Sequence, residues 1–257
     1  MNIKKVSAIY FSPTGTTESV IKHIMAGLDI QQEIIDITPY ENRNRTYSFS
    51  ENDLVIIGIP VYGGRVPITA EERINLLSGN NTPIVLIATY GNIHYSNTLF
   101  ELGSIVAAKG FITIGAAAIV SEHNVISGIA VGRPNARDIS EVLSFIKRIQ
   151  TKLSNSEHHE SIILKGKMPI ITHRGKQPLW PRGNKMCTNC GVCGKVCPAR
   201  AIDNPRKKAG RFCIHCLRCV KSCPQKARTY GNLLKAGGKL LLLLNGGGKE
   251  KQPEFFI

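Results

Sequence analysis

The chain has 257 residues with 33 Lys/Arg against 18 Asp/Glu, a formal net charge of +15. That length suits one large domain and one small one, and no run reaches the roughly 18 apolar residues of a membrane span. Residues 1–155 carry 13 basic and 13 acidic side chains and are neutral, so residues 156–257, with 20 against 5, hold the whole excess.

From the N-terminus, Val6-Ser7-Ala8-Ile9-Tyr10-Phe11 is a short apolar run of the kind buried in a parallel sheet. Ser12-Pro13-Thr14-Gly15-Thr16-Thr17 then opens a helix carried by Val20, Ile21, Ile24, Met25 and Leu28. A second strand covers 33–37, and the polar stretch 41–52 reads as a solvated loop or irregular helix. Asp53 leads into the apolar Leu54–Ile59, which stops at Pro60, and the next helix is expected to begin at Pro67. Strands over 83–88 and 111–120 flank a helix over about 97–109, and a last helix covers about 138–153. Five apolar strands alternating with helices predict a doubly wound, five-stranded parallel α/β sheet.

The predicted boundaries are 1–155 for this domain, 156–178 for a linker, 179–231 for a small α+β domain and 232–257 for a tail. Leu240–Leu244 of the tail is too short to span a bilayer and is expected to dock on the folded body.

Three loops fall at the carboxyl ends of strands, where such sheets bind ligands. Ser12, Thr14, Gly15, Thr16 and Thr17 offer hydroxyls and the N–H groups of a helix start, which favour an anion. The loop lacks the Lys of a nucleotide P-loop and the three glycines of the dinucleotide fingerprint, so a terminal monophosphate as in FMN fits better. A well-capped helix with no ligand has the same composition. Pro60, Val61, Tyr62, Gly63 and Gly64 form the second loop, and Thr89, Tyr90, Gly91, Asn92 and Tyr95 the third. Their glycines allow close approach and their tyrosines can stack on a flat ring, or simply pack the loops.

All eight cysteines lie between Cys187 and Pro224, as Cys187-x2-Cys190-x2-Cys193-x3-Cys197-Pro198 and Cys213-x2-Cys216-x2-Cys219-x3-Cys223-Pro224. This repeat is the bacterial signature of two [4Fe–4S] clusters, in which the fourth cysteine of each run ligates the other cluster. It assigns Cys187, Cys190, Cys193 and Cys223 to one cluster and Cys213, Cys216, Cys219 and Cys197 to the second. Disulfides need an oxidising compartment and a secretory signal, neither of which Met1-Asn2-Ile3-Lys4-Lys5 suggests. Zinc needs no third cysteine at that spacing and no proline after the fourth. A reduced, cytoplasmic location in an oxygen-poor cell is expected.

The sequence resembles known families at these same residues. Ser12–Thr17 is similar to the flavodoxin FMN phosphate loop, and Gly91-Asn92-Ile93-His94-Tyr95 to the third FMN loop of flavodoxins and diflavin reductases. That resemblance implies that Tyr95 stacks on one flavin face, that Tyr62 covers or borders the other, and that Gly63 or Gly64 lies near N5, with Tyr90 structural. The whole chain resembles anaerobe proteins that fuse a flavodoxin-like domain to a two-cluster ferredoxin. Pro60–Pro67, Gly132-Arg133-Pro134-Asn135 and Glu254-Phe255-Phe256 carry that likeness. Free flavodoxins are acidic, whereas residues 1–155 are neutral.

An electron-transfer iron–sulfur flavoprotein follows, passing electrons between the clusters and FMN. The alternative is an FMN-dependent reductase whose small-molecule site uses Glu122, His123, Asn124 and Arg133 of the loop 121–137, which is otherwise a plain crossover. A redox-sensing or assembly protein is a third class. The basic half predicts docking of an acidic redox partner. It does not predict nucleic-acid binding, because two oxidised cubes offset about 4 charges and no recognition motif is present. A homodimer is compatible. His215 is expected beside a cluster, His158 and His159 in a polar linker, and Trp180 at the domain junction.

Overall fold

The computed structural model describes residues 3–155, 160–168, 180–230 and 249–257. In chain order the elements are β1 (Lys5–Tyr10), α1 (Thr16–Ala26), β2 (Gln32–Asp36), β3 (Tyr47–Phe49), β4 (Asp53–Pro60), α2 (Ile68–Ile74), β5 (Leu77–Gly79) and β6 (Thr82–Tyr90). They continue with α3 (Thr98–Ala107), β7 (Phe111–Val120), α4 (Ala136–Ser154), β8 (Arg182–Gly183), α5 (Val192–Lys195), α6 (Arg218–Lys221), β9 (Arg228–Thr229) and β10 (Glu254–Phe256).

The central sheet runs β10-β7-β6-β4-β1-β2. All neighbours pair in parallel except β10, which runs antiparallel to β7. The five parallel strands thus follow the order 2-1-3-4-5, which is the flavodoxin-like variant of the doubly wound fold. The sequence led us to expect five strands; the sheet has six. Glu254, Phe255 and Phe256 face Ala118, Ala117 and Ala116 of β7, small residues that let the added strand lie close.

Alternation along the strands builds a layer on each side. Ile9, Val55, Ile57 and Ile59 pack with Ala70 and Ile74 of α2 and Leu99, Leu102 and Val106 of α3. Ala8, Tyr10, Leu54 and Ile56 pack with Val20, Ile21 and Ile24 of α1 and Val142, Phe145 and Ile149 of α4. Every residue of β6 is buried, as expected of a central parallel strand covered on both faces. Each fully buried Ile or Phe contributes about 1.5–3 kcal/mol relative to exposure, so this sheet is a rigid base for its loops. The stretch 41–52, expected as a loop or irregular helix, contains β3, which pairs in parallel with β5. Tyr47 and Phe49 both pack on the apolar layer, which holds this part of the stretch extended.

The helix after β7 begins at a capping box, with Asn135 accepting from the Asp138 N–H and Asp138 accepting from the Asn135 N–H. Arg133 forks onto Asp138 and also donates to the Lys251 carbonyl at 3.2 Å. Asn92 holds the same segment from the other side, donating to the Lys249 carbonyl at 2.9 Å.

Between residues 180 and 230 the chain repeats itself with an offset of 26 residues. Cys193 lies on α5 and Cys219 on α6, each a single turn. Left-handed residues recur in pairs at that offset: Asn189 and His215, Gly191 and Leu217, Arg200 and Lys226. The Ala201 N–H donates to Cys197 Sγ at 3.3 Å and the Ala227 N–H to Cys223 Sγ at the same distance. β8 and β9 pair antiparallel and bring the two ends of this segment together. Leu179, His158, His159 and Leu240–Leu244, and most of the linker expected over 156–178, lie outside the described residues.

Candidate functional site

The strand order reverses between β1 and β4, and the loops leaving their carboxyl ends wall a cavity of about 1330 Å³. From the sheet it is lined by Ser12, Pro13, Thr14, Thr16 and Thr17, then Pro60, Val61, Tyr62 and Gly63, then Thr89 and Gly91. From residues 180–230 it is lined by Trp180, Pro198, Arg211, Cys213 and His215.

The first loop is shaped by its own hydroxyls. The Ser12 N–H donates to Thr38 Oγ1 at 2.7 Å, and Ser12 Oγ accepts from the Glu18 N–H at 3.0 Å. Gly15, at φ 89°, turns the chain into α1. The N–H groups of Thr14, Gly15, Thr16 and Thr17 have no hydrogen-bond partner among the described residues. Four free donors at a helix start form an anion cradle. Thr17 is buried and shares a 2.7 Å hydrogen bond with Thr89, tying the first loop to the third.

The second loop is a tight hairpin. Tyr62 and Arg65 exchange backbone bonds of 3.1 and 3.2 Å around Gly63 and Gly64, at φ 61° and 76°. Two successive positive φ angles define a type I′ turn, which glycines enter without strain. The Tyr62 ring is half-buried, but its hydroxyl is sealed from solvent with no hydrogen-bond partner. Burial pushes its pKa well above the ordinary value, with Cys216 adding to the shift and Arg218 opposing it. A buried phenol without a partner costs free energy, and other atoms of Tyr62 line the cavity.

In the third loop, Gly91 approaches His123 so closely that a Cβ there would lie 3.0 Å from its Cα. Tyr90, Asn92 and Tyr95 do not line the cavity. Tyr90 is buried in the core with its ring 5.5 Å from that of Tyr95. Tyr95 donates to the Glu254 carboxylate at 2.7 Å, which engages it with β10. Gly15 and Gly64 support their turns from behind the lining. Of the crossover loop, Glu122, His123 and Asn124 line the cavity, while Arg133 is committed to Asp138.

Cys187, Cys190, Cys193 and Cys223 line one small cavity. Burial raises the pKa values of Cys213, to about 11, Cys216 and Cys219; neighbouring thiols add to the rise, Cys197 acting on all three and Cys193 of the other set on Cys219. All eight are free thiols. Among the described residues no three His, Cys, Asp or Glu stand close enough for a single metal ion. Backbone N–H groups aimed at Sγ, and a buried Arg228 whose Nε lacks a partner beside Cys219, suit a negatively charged cluster.

Several residues join the two halves, and apart from Asn124 and Trp180 the sequence reading passed them over. Arg218 donates to the Ser12 and Pro13 carbonyls at 3.4 Å, and Lys221 to the Thr14 carbonyl at 2.6 Å. The phosphate-type loop has no base of its own, and these two place positive charge against it. Arg73, 3% exposed, donates to the Thr38 and Pro198 carbonyls at 2.7 Å each. Asn124 donates to the Cys216 carbonyl at 2.7 Å, and the Tyr230 hydroxyl to the Val125 carbonyl. The available signal was the pair of bases at i and i+3 inside the second cysteine run. Trp180 packs edge-on to His215 at 5.1 Å.

Neither a protein-family model nor a curated protein matches the chain. Solved structures resembling it include Flavodoxin 2 of Bacillus cereus, at 12% identity and a TM-score of 0.43 over 58% of this chain and 99% of that one. The flavodoxin of Streptococcus pneumoniae TIGR4 gives 14%, 0.42, 58% and 99% in the same order. A Fusobacterium nucleatum flavodoxin bound to flavin mononucleotide gives 14%, 0.38, 58% and 98%. With TM-scores below 0.5 these likenesses carry no weight, and the fold class rests on the strand order. No helix among the described residues is long and apolar enough to cross a membrane.

Proposed function

We propose that the protein is an electron-transfer iron–sulfur flavoprotein. Cys187, Cys190, Cys193 and Cys223 hold one [4Fe–4S] cluster, and Cys197, Cys213, Cys216 and Cys219 a second. FMN places its phosphate on the Ser12–Thr17 loop and its ring along Tyr62 and Gly63. The clusters supply one-electron steps and the flavin one- or two-electron steps.

One observation carries the reading: a single cavity is walled by the phosphate-type loop, the Tyr62–Arg65 turn and Cys213. It makes the Cys197-containing cluster the one nearer the flavin. Cys213 is on the cavity wall, Cys216 is close enough to Tyr62 to raise its pKa, and the Cys216 and Pro198 carbonyls are docking points. The protein's own residues orient the ring, exclude water and fix the path. Arg218 and Lys221 place positive charge next to the phosphate loop. The domain division at about residues 155 and 179 belongs to the same reading, as does an acidic redox partner meeting the basic cysteine-bearing half.

Anaerobic purification followed by iron, sulfide and flavin analysis tests it. About eight irons and one FMN per chain are expected, from two cubes and one phosphate cradle. Four irons, or no flavin, sinks the reading. A reductase with its own substrate draws support from Glu122, His123 and Asn124 on the cavity wall. Steady turnover of an organic acceptor, with no need for a protein carrier, would favour it.

A further inference from the structure

Within the two cysteine runs the 26-residue repeat is broken at a buried position. Cys197-Pro198-Ala199-Arg200-Ala201 is followed by Ile202, whereas Cys223-Pro224-Gln225-Lys226-Ala227 is followed by Arg228. Both are in the interior, Ile202 at 8% and Arg228 at 3% exposure. The first repeat therefore shows that this place in the fold accepts an aliphatic side chain.

An interior guanidinium is costly unless it is paired, and Arg228 has no carboxylate partner among the described residues. Its Nη atoms donate to the carbonyls of Pro205 at 2.7 Å, Lys207 at 3.3 Å and Pro181 at 2.9 Å. Its neighbours on the other side are cysteines from both quartets. It lines the small cavity with Cys187, Cys190, Cys193 and Cys223, and its charge also acts on Cys213 and Cys219. The carbonyls fix the fork in place, between the two sets of ligands.

We propose that Arg228 is a positioning residue that serves as the shared counter-charge of the two clusters. Each oxidised cube carries about −2, and each takes one electron from a one-electron donor to reach about −3. A cation between them stabilises the reduced form of both, and it offsets their mutual repulsion most when both are reduced. The protein can then hold two electrons at closely spaced potentials, the number a flavin accepts in full. This inference rests on the two-cluster reading.

The test is an EPR-monitored redox titration of the whole protein with Arg228→Ile, the residue of the first repeat, and Arg228→Lys, which keeps the charge. The isoleucine variant is expected to bind about eight irons. Its second cluster reduction should be disfavoured about tenfold, equivalent to 59 mV more negative for one electron. The lysine variant should titrate like the parent. An isoleucine variant that fails to incorporate iron, beside a lysine variant that titrates like the parent, also supports the role. Unchanged potentials in a fully loaded isoleucine variant overturn it. So does a lysine variant shifted as far as the isoleucine one, or failure of both variants to incorporate iron. A parent protein without two clusters overturns the two-cluster reading itself, a result distinct from any of these.

Discussion

The side-chain amide of Asn124 donates to the backbone carbonyl of Cys216 at 2.7 Å. The bond joins the loop after β7, at the wall of the shared cavity, to a cysteine that we propose ligates the cluster nearer the flavin. Replacing Asn124 with alanine removes a bond worth about 1 kcal/mol. Electron transfer from cluster to flavin should slow about fivefold in stopped-flow measurements, with iron and FMN content unchanged. An unchanged rate would mean that docking does not depend on this contact.

The Arg218 and Lys221 contacts predict a difference between FMN and riboflavin. Arg218→Ala should weaken FMN binding about tenfold, by the usual strength of charge-assisted contacts. Lys221→Ala should have a smaller effect, because that side chain is exposed. Riboflavin, which lacks the phosphate, should bind all three proteins alike in fluorescence titrations. Equal losses for both flavins would point to general damage to the loop.

Single cysteine replacements should separate the clusters. Cys187→Ala and Cys216→Ala are each expected to keep about four irons. Only Cys216→Ala should abolish flavin reduction by a one-electron donor, because it removes the cluster on the cavity side. If Cys187→Ala is the one that abolishes it, the order of the clusters is reversed.

His123 is held neutral by its surroundings. Burial lowers its pKa below 6.5, outweighing a backbone hydrogen bond that acts the other way, and Nδ1 accepts from the Val125 and Ile126 N–H groups at 3.2 and 3.0 Å. The unfolded chain therefore takes up the proton first as pH falls. Its contribution is complete above pH 6.5, shrinks as pH falls toward the folded value, and is constant below that. His123→Asn keeps an acceptor but does not titrate. Denaturant midpoints at pH 7.5 and 5 should differ less in this variant than in the parent, and an equal difference would remove His123 from the account.

The basic half predicts that electron exchange with an acidic carrier protein is fast at low salt and falls steeply as ionic strength rises. A rate independent of salt would place the docking face elsewhere.

The alternation of apolar strands with helices carried most of the fold. β1, β4, β6 and β7 all coincide with the runs read from the sequence, because strands buried on both faces are written as unbroken Val, Ile, Leu and Ala. β10 escaped notice because three residues make no periodic pattern, and its partner is 136 or more residues away in sequence. The cavity-lining residues of the first two loops were equally legible, since a turn after a buried strand must carry glycine or small polar residues. Tyr95 was not. The resemblance implies a stacking role for its ring, while the bond of its hydroxyl to Glu254, a residue from the far end of the chain, leaves no signal in either stretch. Arg218, Lys221 and Arg228 were hidden for a different reason: a count of basic residues shows an excess without showing which ones meet the first loop or turn inward.

The pairing of β10 with β7 also decides how the cysteine-bearing half is held. Its chain leaves the sheet after α4 and returns to the same sheet at Glu254, so it is an insertion within the first fold and not an appendage. A segment tethered at both ends explores far less space than one on a single leash, which, if the proposed cofactors are bound, raises the local concentration of each redox centre at the other. Internal transfer then has an advantage over collision with free carriers that no change in the medium can dilute. The three residues from Glu254 to Phe256 thereby bear on electron traffic without touching a cofactor.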